Sequence, residues 1–154
     1  MAEQKFFEDF TLGEKFKIPS KTITDSHFML FAALTGDSHP LHYDDEYCKE
    51  TIFGRRVAHG LILVAMTAFG ASSAAWLTED SMIAFLEQGA RFLKPVFIGD
   101  TLVPELEVTE LIPKKGRGIV KVRSTVTNQK GELVLDGWHL YLFKSRLNVE
   151  PEEG

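Results

Sequence analysis

The sequence predicts an α+β fold in which an antiparallel sheet wraps around one long, buried central helix. Residues 60–78, GLILVAMTAFGASSAAWLT, carry no charge, as a helix covered on most sides requires. In LVPELEVTELI and GIVKVRSTVTN, apolar and polar residues alternate, the period of strands with one wet face. Helices gather before the strands of a meander instead of alternating with them, which is the α+β pattern.

Each element has its own signals. Residues 11–22, TLGEKFKIPSKT, form a strand with Pro19 near an edge. Thr24 supplies an N-cap and Asp25 an acidic first turn. Phe28, Phe31 and Ala32 keep helical spacing, and Gly36 stops that helix at its C-terminal end. Pro40 bars the following loop from continuing as helix. Asp44–Glu50 make a short helix, Gly54 breaks it, and the long helix starts near Ala58. Residues 82–93 are apolar with a central Gly, and KPVFIGDTL turns at Gly99–Asp100. Val120, Val122 and Val126 alternate with Lys121, Arg123 and Thr125, NQKG is a hairpin loop, and residues 132–144 make the last strand. The polar tail, 148–154, is expected to fray. One domain of 154 residues accounts for the whole chain.

Composition excludes several partners. Lys and Arg number 17 against 22 Asp and Glu, and the net charge of -5 argues against nucleic acid. The uncharged segment is diluted by Thr67, Gly70, Ser72, Ser73 and Thr78, so it reads as a buried helix and not a membrane span. Cys48 stands alone and permits no intrachain disulfide; it reads as a small buried hydrophobe. Trp76 and Trp138 read as core or interface residues. The start, MAEQKFFEDF, has no signal-peptide core, so the cytoplasm is the expected compartment.

Chemistry concentrates in GDSHPLH, residues 36–42. A serine-hydrolase reading fails because Asp136 and His139, three apart on a strand, point to opposite faces. No G-x-S-x-G elbow exists either. His39 and His42 match no zinc spacing, so no metal is expected. An Asx-turn at Asp37 is the bland reading. Taken together, Asp37 and His42 can meet around one water, a sufficient kit for adding or removing water. Positioned acid/base groups are worth about 10²–10⁴-fold. His59-Gly60 opens the uncharged helix, where amides lack helical acceptors and Gly allows close approach. Such a donor contributes about 10²–10³ in rate. His59 itself is equally a cap or a supporting residue.

These residues resemble the MaoC-like dehydratase family, which includes (R)-specific enoyl-CoA hydratases. The resemblance runs from FAALTGDSHPLHYDDEYCKETIFGRRVAHGLI through ARFLKPVFIGDTL. It implies a hot-dog fold, a homodimer with sites near the subunit interface, and a role in fatty acid metabolism. It assigns Asp37 and His42 to the catalytic water and Gly60 to the thioester oxygen. Around them, His39, Pro40, His59 and Leu61 are expected to line the substrate site. No cofactor is implied beyond the acyl-CoA substrate. The chain departs from the hydratase motif in carrying His39 where Asn is usual, and it lacks an early serine after Gly60. Only one hot-dog unit fits, which favours short or medium acyl groups. Thioester hydrolysis on the same fold and non-catalytic acyl-thioester binding are the rival readings.

Overall fold

A computed structural model describes residues 3–147. The tail expected to fray, 148–154, lies outside the described residues. Three long strands form the predicted meander: β4 (Thr101–Lys114), β5 (Arg117–Thr127) and β6 (Leu133–Lys144). β3 (Met82–Phe92) lies antiparallel beside β6, so the apolar segment around Gly89 is a strand. The first predicted strand is split by Pro19 into β1 (Lys15–Lys17) and β2 (Lys21–Thr22), both paired with β4. The path across the sheet is β1-β4-β5-β6-β3.

Alternation sorts the two faces. Leu102, Leu106 and Val108 of β4 are buried, as are Val120, Val122 and Val126 of β5. On the outer face, Arg123 donates two hydrogen bonds to Asp136, at 2.8 and 3.0 Å. His139 points inward and is buried, so the two residues do occupy opposite faces. The Arg123 guanidinium holds the Asp136 carboxyl below its ordinary value.

Helix α1 (Asp25–Thr35) begins after Thr24 and ends at Gly36, whose φ of 77° gives the left-handed stop. Phe28 is its fully buried anchor. Pro40 departs from expectation, because it opens helix α2 (Pro40–Tyr43) instead of preventing one. At the first helical position the missing N–H is no loss, and the fixed φ suits the turn. Helix α3 (Asp45–Lys49) follows, capped by the Asp44 side chain on Tyr47 N–H.

The central helix is much shorter than expected. Helix α4 spans only Gly60–Ala65, followed by 3-10 turns at Phe69–Ala71 and Ala75–Leu77. Thr67 explains the stop. Its hydroxyl donates to Val64 O at 2.7 Å, closing the helix end. The same oxygen lies 3.1 Å from His139 Nε2 on β6. Because Thr67 donates to the carbonyl, His139 Nε2–H donates to Thr67, and His139 Nδ1 accepts from Tyr141, 2.7 Å away. A buried polar triad therefore pins the segment to the sheet. Trp76, expected in the core or an interface, is 74% exposed on the second of the 3-10 turns.

Two apolar clusters result. One gathers Phe10, Phe16, Phe69, Leu106, Val120, Tyr141 and Phe143. The other gathers Ile23, Phe28, Ile62, Leu63, Val96, Leu102, Val126 and Leu135, beneath the segment that carries the candidate site. Between β3 and β6 the packing leaves no room for a side chain at Gly137, where a Cβ would sit 2.5 Å from Gly89 O.

Gly137→Ala is accordingly expected to cost about 1–3 kcal/mol, as overpacking does. Gly70→Ala, with no atom within 4 Å of its Cβ, serves as the near-neutral control in urea unfolding. A second expectation concerns pH. Burial pushes the His139 imidazole down to about 4 from 6.5. Between those values the unfolded chain binds the extra proton, so stability rises with pH through this window and falls on acidification. The span is about 3–4 kcal/mol. Urea midpoints measured from pH 4 to 7 should show a flatter profile in His139→Gln.

Candidate active site

The site is assembled from two chain segments, 36–43 and 57–60. Asp37 follows the left-handed Gly36, and its Oδ1 accepts from His39 N–H at 3.3 Å. The Asx-turn is thus present, and it orients the carboxylate without consuming it. His39 is exposed, and its Nδ1 accepts from Leu41 N–H at 3.2 Å as the N-cap of α2. An Asn oxygen could fill the same capping role, so the imidazole in this position keeps the turn. Pro40 locks that turn.

His42 sits on α2 facing the segment that enters α4. Its Nδ1 lies 2.6 Å from Val57 O. A carbonyl only accepts, so Nδ1 carries the proton and Nε2 is left for chemistry. Val57 N–H returns a bond to Leu41 O at 3.2 Å, so the two segments are tied twice. One carboxylate oxygen of Asp37 and one ring nitrogen each of His42 and His59 all lie within 4.8 Å of one another. That spacing fits a water bridging Asp37 and His42 with ordinary hydrogen bonds. It is a poor cradle for a metal ion. The His42 and His59 rings are stacked, centroids 3.7 Å apart and planes 23° apart, so their in-plane lone pairs run side by side and do not converge.

His59 is 3% exposed. It was expected to line the substrate; in the structure it stacks on His42 and packs against Phe28 and Phe31. Its Nε2 is 2.9 Å from Tyr43 Oη and 3.3 Å from Asp37 O. Its Nδ1 is buried without a partner among the described residues, an arrangement that typically costs about 1–3 kcal/mol. Burial, and then His42, push the His59 imidazole below its ordinary value. Tyr43, which the sequence reading did not single out, also bonds Phe28 O at 2.9 Å and Asp37 O at 3.0 Å. Its only sequence signal is adjacency to His42.

Gly60 is the first residue of α4, so its N–H has no carbonyl one turn back. It borders an apolar cavity of about 320 Å³ lined by Phe53, Val57, Leu63, Phe92 and Val96. A Cβ on Gly60 would meet the Phe92 ring at 3.1 Å, so glycine keeps this wall open. Val57 belongs both to the cavity and to the His42 hydrogen bond. Leu61, on the other side of the helix start, is 59% exposed. Cys48 is fully buried; its thiol donates to Leu41 O and has been pushed up by burial.

Comparison with known proteins finds relatives over most of the chain. The MaoC like domain family matches residues 8–130. An (R)-specific enoyl-CoA hydratase of Rhodospirillum rubrum is 34% identical, covering 86% of this chain and 87% of the relative. A 3-hydroxybutyryl-CoA dehydratase of Methylorubrum extorquens is 32% identical, covering 95% and 88%. The crystal structure of a monoamine oxidase regulatory protein from Archaeoglobus superimposes with a TM-score of 0.88 at 36% identity, covering 95% of this chain and 98% of that one. An R-hydratase from Pseudomonas aeruginosa superimposes at 0.73 with 34% identity, covering 97% and 92%. A Mycobacterium tuberculosis protein with a double hotdog fold aligns over 96% of this chain and 46% of its own length, with a TM-score of 0.74 at 26% identity. The expected hot-dog architecture is therefore present, built around a shorter helix than the sequence suggested.

Proposed function

The chain belongs to the MaoC like domain family, and on that premise we propose that it is a hydro-lyase: it adds water reversibly to a 2-enoyl-CoA to give the 3-hydroxyacyl-CoA. The observation that carries the proposal is the Asp37–His42 pair, held within 4.8 Å and tied through the His42–Val57 bond to a cavity that Val57 and Gly60 line and that neither Asp37 nor His42 reaches. The names of its relatives favour (R) stereochemistry. No metal or redox cofactor is needed for this chemistry.

Water sits between the Asp37 carboxylate and His42 Nε2. Its oxygen forms the bond to C3 as one proton passes to the pair. The C2=C3 electrons move toward the thioester, whose oxygen gathers negative charge. The Gly60 N–H receives that charge, and its value lies in being unspent within the helix; a six-residue helix adds little dipole. The pair then returns one proton to C2, so one water is consumed and nothing is released. The cavity of about 320 Å³ lies at the small end of ligand pockets, which supports a short or medium acyl group. Leu61, His39 and Pro40 frame the approach. Among the described residues no helix is long and apolar enough to cross a membrane. A cytoplasmic acyl-CoA pool is the setting this proposal assumes.

A second copy of the chain completes the unit. β3 pairs with β6 on one edge only, yet Ile83, Phe85, Leu86 and Phe92 on it are each 47–55% exposed. A long apolar edge strand left uncovered invites aggregation. Pairing of β3 with its equivalent in a second copy would cover it.

Purified protein is expected to bleach the conjugated-thioester absorbance of crotonyl-CoA or hexenoyl-CoA while releasing no free thiol. Asp37→Asn and His42→Gln should each keep the fold and lose about 10²–10⁴-fold in kcat; near-normal turnover in Asp37→Asn would refute the mechanism. Light scattering should return twice the chain mass of 17.3 kDa. Phe85→Lys should shift the protein toward monomer, whereas a monomeric wild type would remove the edge-pairing proposal.

A further inference from the structure

Hydrogen-bond bookkeeping around Tyr43 yields more than the catalytic pair. The Tyr43 hydroxyl has one proton and three neighbours: Phe28 O at 2.9 Å, Asp37 O at 3.0 Å and His59 Nε2 at 2.9 Å. The carbonyls can only accept, so they take the hydroxyl proton. The contact with His59 is then made by Nε2–H donating to the Tyr43 oxygen. The same Nε2–H also faces Asp37 O at 3.3 Å. His59 is therefore the Nε2–H tautomer, and its Nδ1 is an unprotonated lone pair buried with no partner among the described residues.

An apolar side chain there would relieve that orphaned atom. The histidine instead makes two contacts with the reacting groups. Its ring lies flat against His42 at 3.7 Å, and its N–H, with the Tyr43 hydroxyl, grips the main-chain carbonyl of Asp37. The titratable groups around it are Tyr43 and His42 from α2, Asp37 from the turn after α1, and, beyond Tyr43, Asp25 at the start of α1. His39 approaches only the far neighbour, His42, with centroids 6.4 Å apart.

We infer that His59, locked as its Nε2–H tautomer by Tyr43, is a positioning residue that sets the His42 ring plane and the Asp37 main chain against each other. At 3% exposure it acts through His42 and the Asp37 carbonyl. The inference rests on the hydratase reading for its kinetic consequence, but its tautomer can be read without substrate. Fixing both partners through one buried ring makes their separation independent of the exposed loop between them. Misplacement of such groups is felt in the chemical step and little in ground-state binding.

The test combines spectroscopy and kinetics on the full chain. Long-range proton–nitrogen NMR of the five histidines, assigned by single substitutions, is expected to show His59 at neutral pH with its proton on Nε2. A proton on Nδ1, or on both nitrogens, would overturn the inference whatever the enzyme does with enoyl-CoA. With crotonyl-CoA, His59→Leu should lower kcat at least tenfold while KM stays within about twofold. His59→Gln, which restores an N–H near the Nε2 position, should recover at least threefold over Leu. Tyr43→Phe should lower kcat about threefold to tenfold, and it carries the kinetic test if His59→Leu does not fold. Equal kcat in the Leu and Gln variants, wild-type kcat in Tyr43→Phe, or losses confined to KM would reject the positioning role. Absence of hydration by the wild type, with the Nε2–H tautomer present, would reject the hydratase reading and leave the Tyr43–His59 lock supported.

Discussion

The hydrogen bond from His42 Nδ1 to Val57 O, 2.6 Å long, is the contact on which the site depends. It joins α2 to the segment that enters α4, two stretches separated by the short helix α3 and the turn after it. It also decides the chemistry of the imidazole. With Nδ1 committed to a carbonyl, Nε2 is the nitrogen left unbonded within the protein. Val57 at the same time lines the apolar cavity. One bond thus sets the tautomer, the ring orientation and the link from His42 to the wall of the cavity.

Beneath that bond the fold works through opposite solutions at the two ends of α4. At its start, Gly60 removes a side chain, so an amide and a cavity meet without obstruction. At its end, Thr67 closes the helix and hands its oxygen to His139 on the sheet. The buried Thr67–His139–Tyr141 chain is fully paired, which is the condition for polar groups to be tolerated in a core. His59 contrasts with it, because one of its buried nitrogens is left unpaired. The core histidine is satisfied and the site histidine is not, which places the unspent polarity beside the chemistry.

Much of this was legible in the chain. The alternation in β4 and β5, the Gly36 stop and the turns at Gly99 and Gly131 depend on local periods and on left-handed glycines. The pairing of Asp37 with His42 followed from a turn too short to separate them. Pro40 was misread because the same rigid φ that ends one helix begins another. The length of the central helix was misread because an uncharged run fixes neither helicity nor complete burial: Leu61 and Trp76 within it are 59% and 74% exposed. Thr67 and the Ser–Gly-rich stretch behind it favour turns once the sheet supplies partners.

By itself the sequence determined which face of each strand is wet, where α1 stops, and which polar side chains share one turn. These are consequences of bonds and contacts between near neighbours. Only the tertiary structure decided that α4 ends at Ala65, that His59 lies buried under His42, and that Tyr43 grips the Asp37 carbonyl. Besides the local Thr67–Val64 bond, those outcomes rest on ring stacking and hydrogen bonds between residues 6 to 72 positions apart in the chain. No local pattern encodes a partner that folding alone brings within reach.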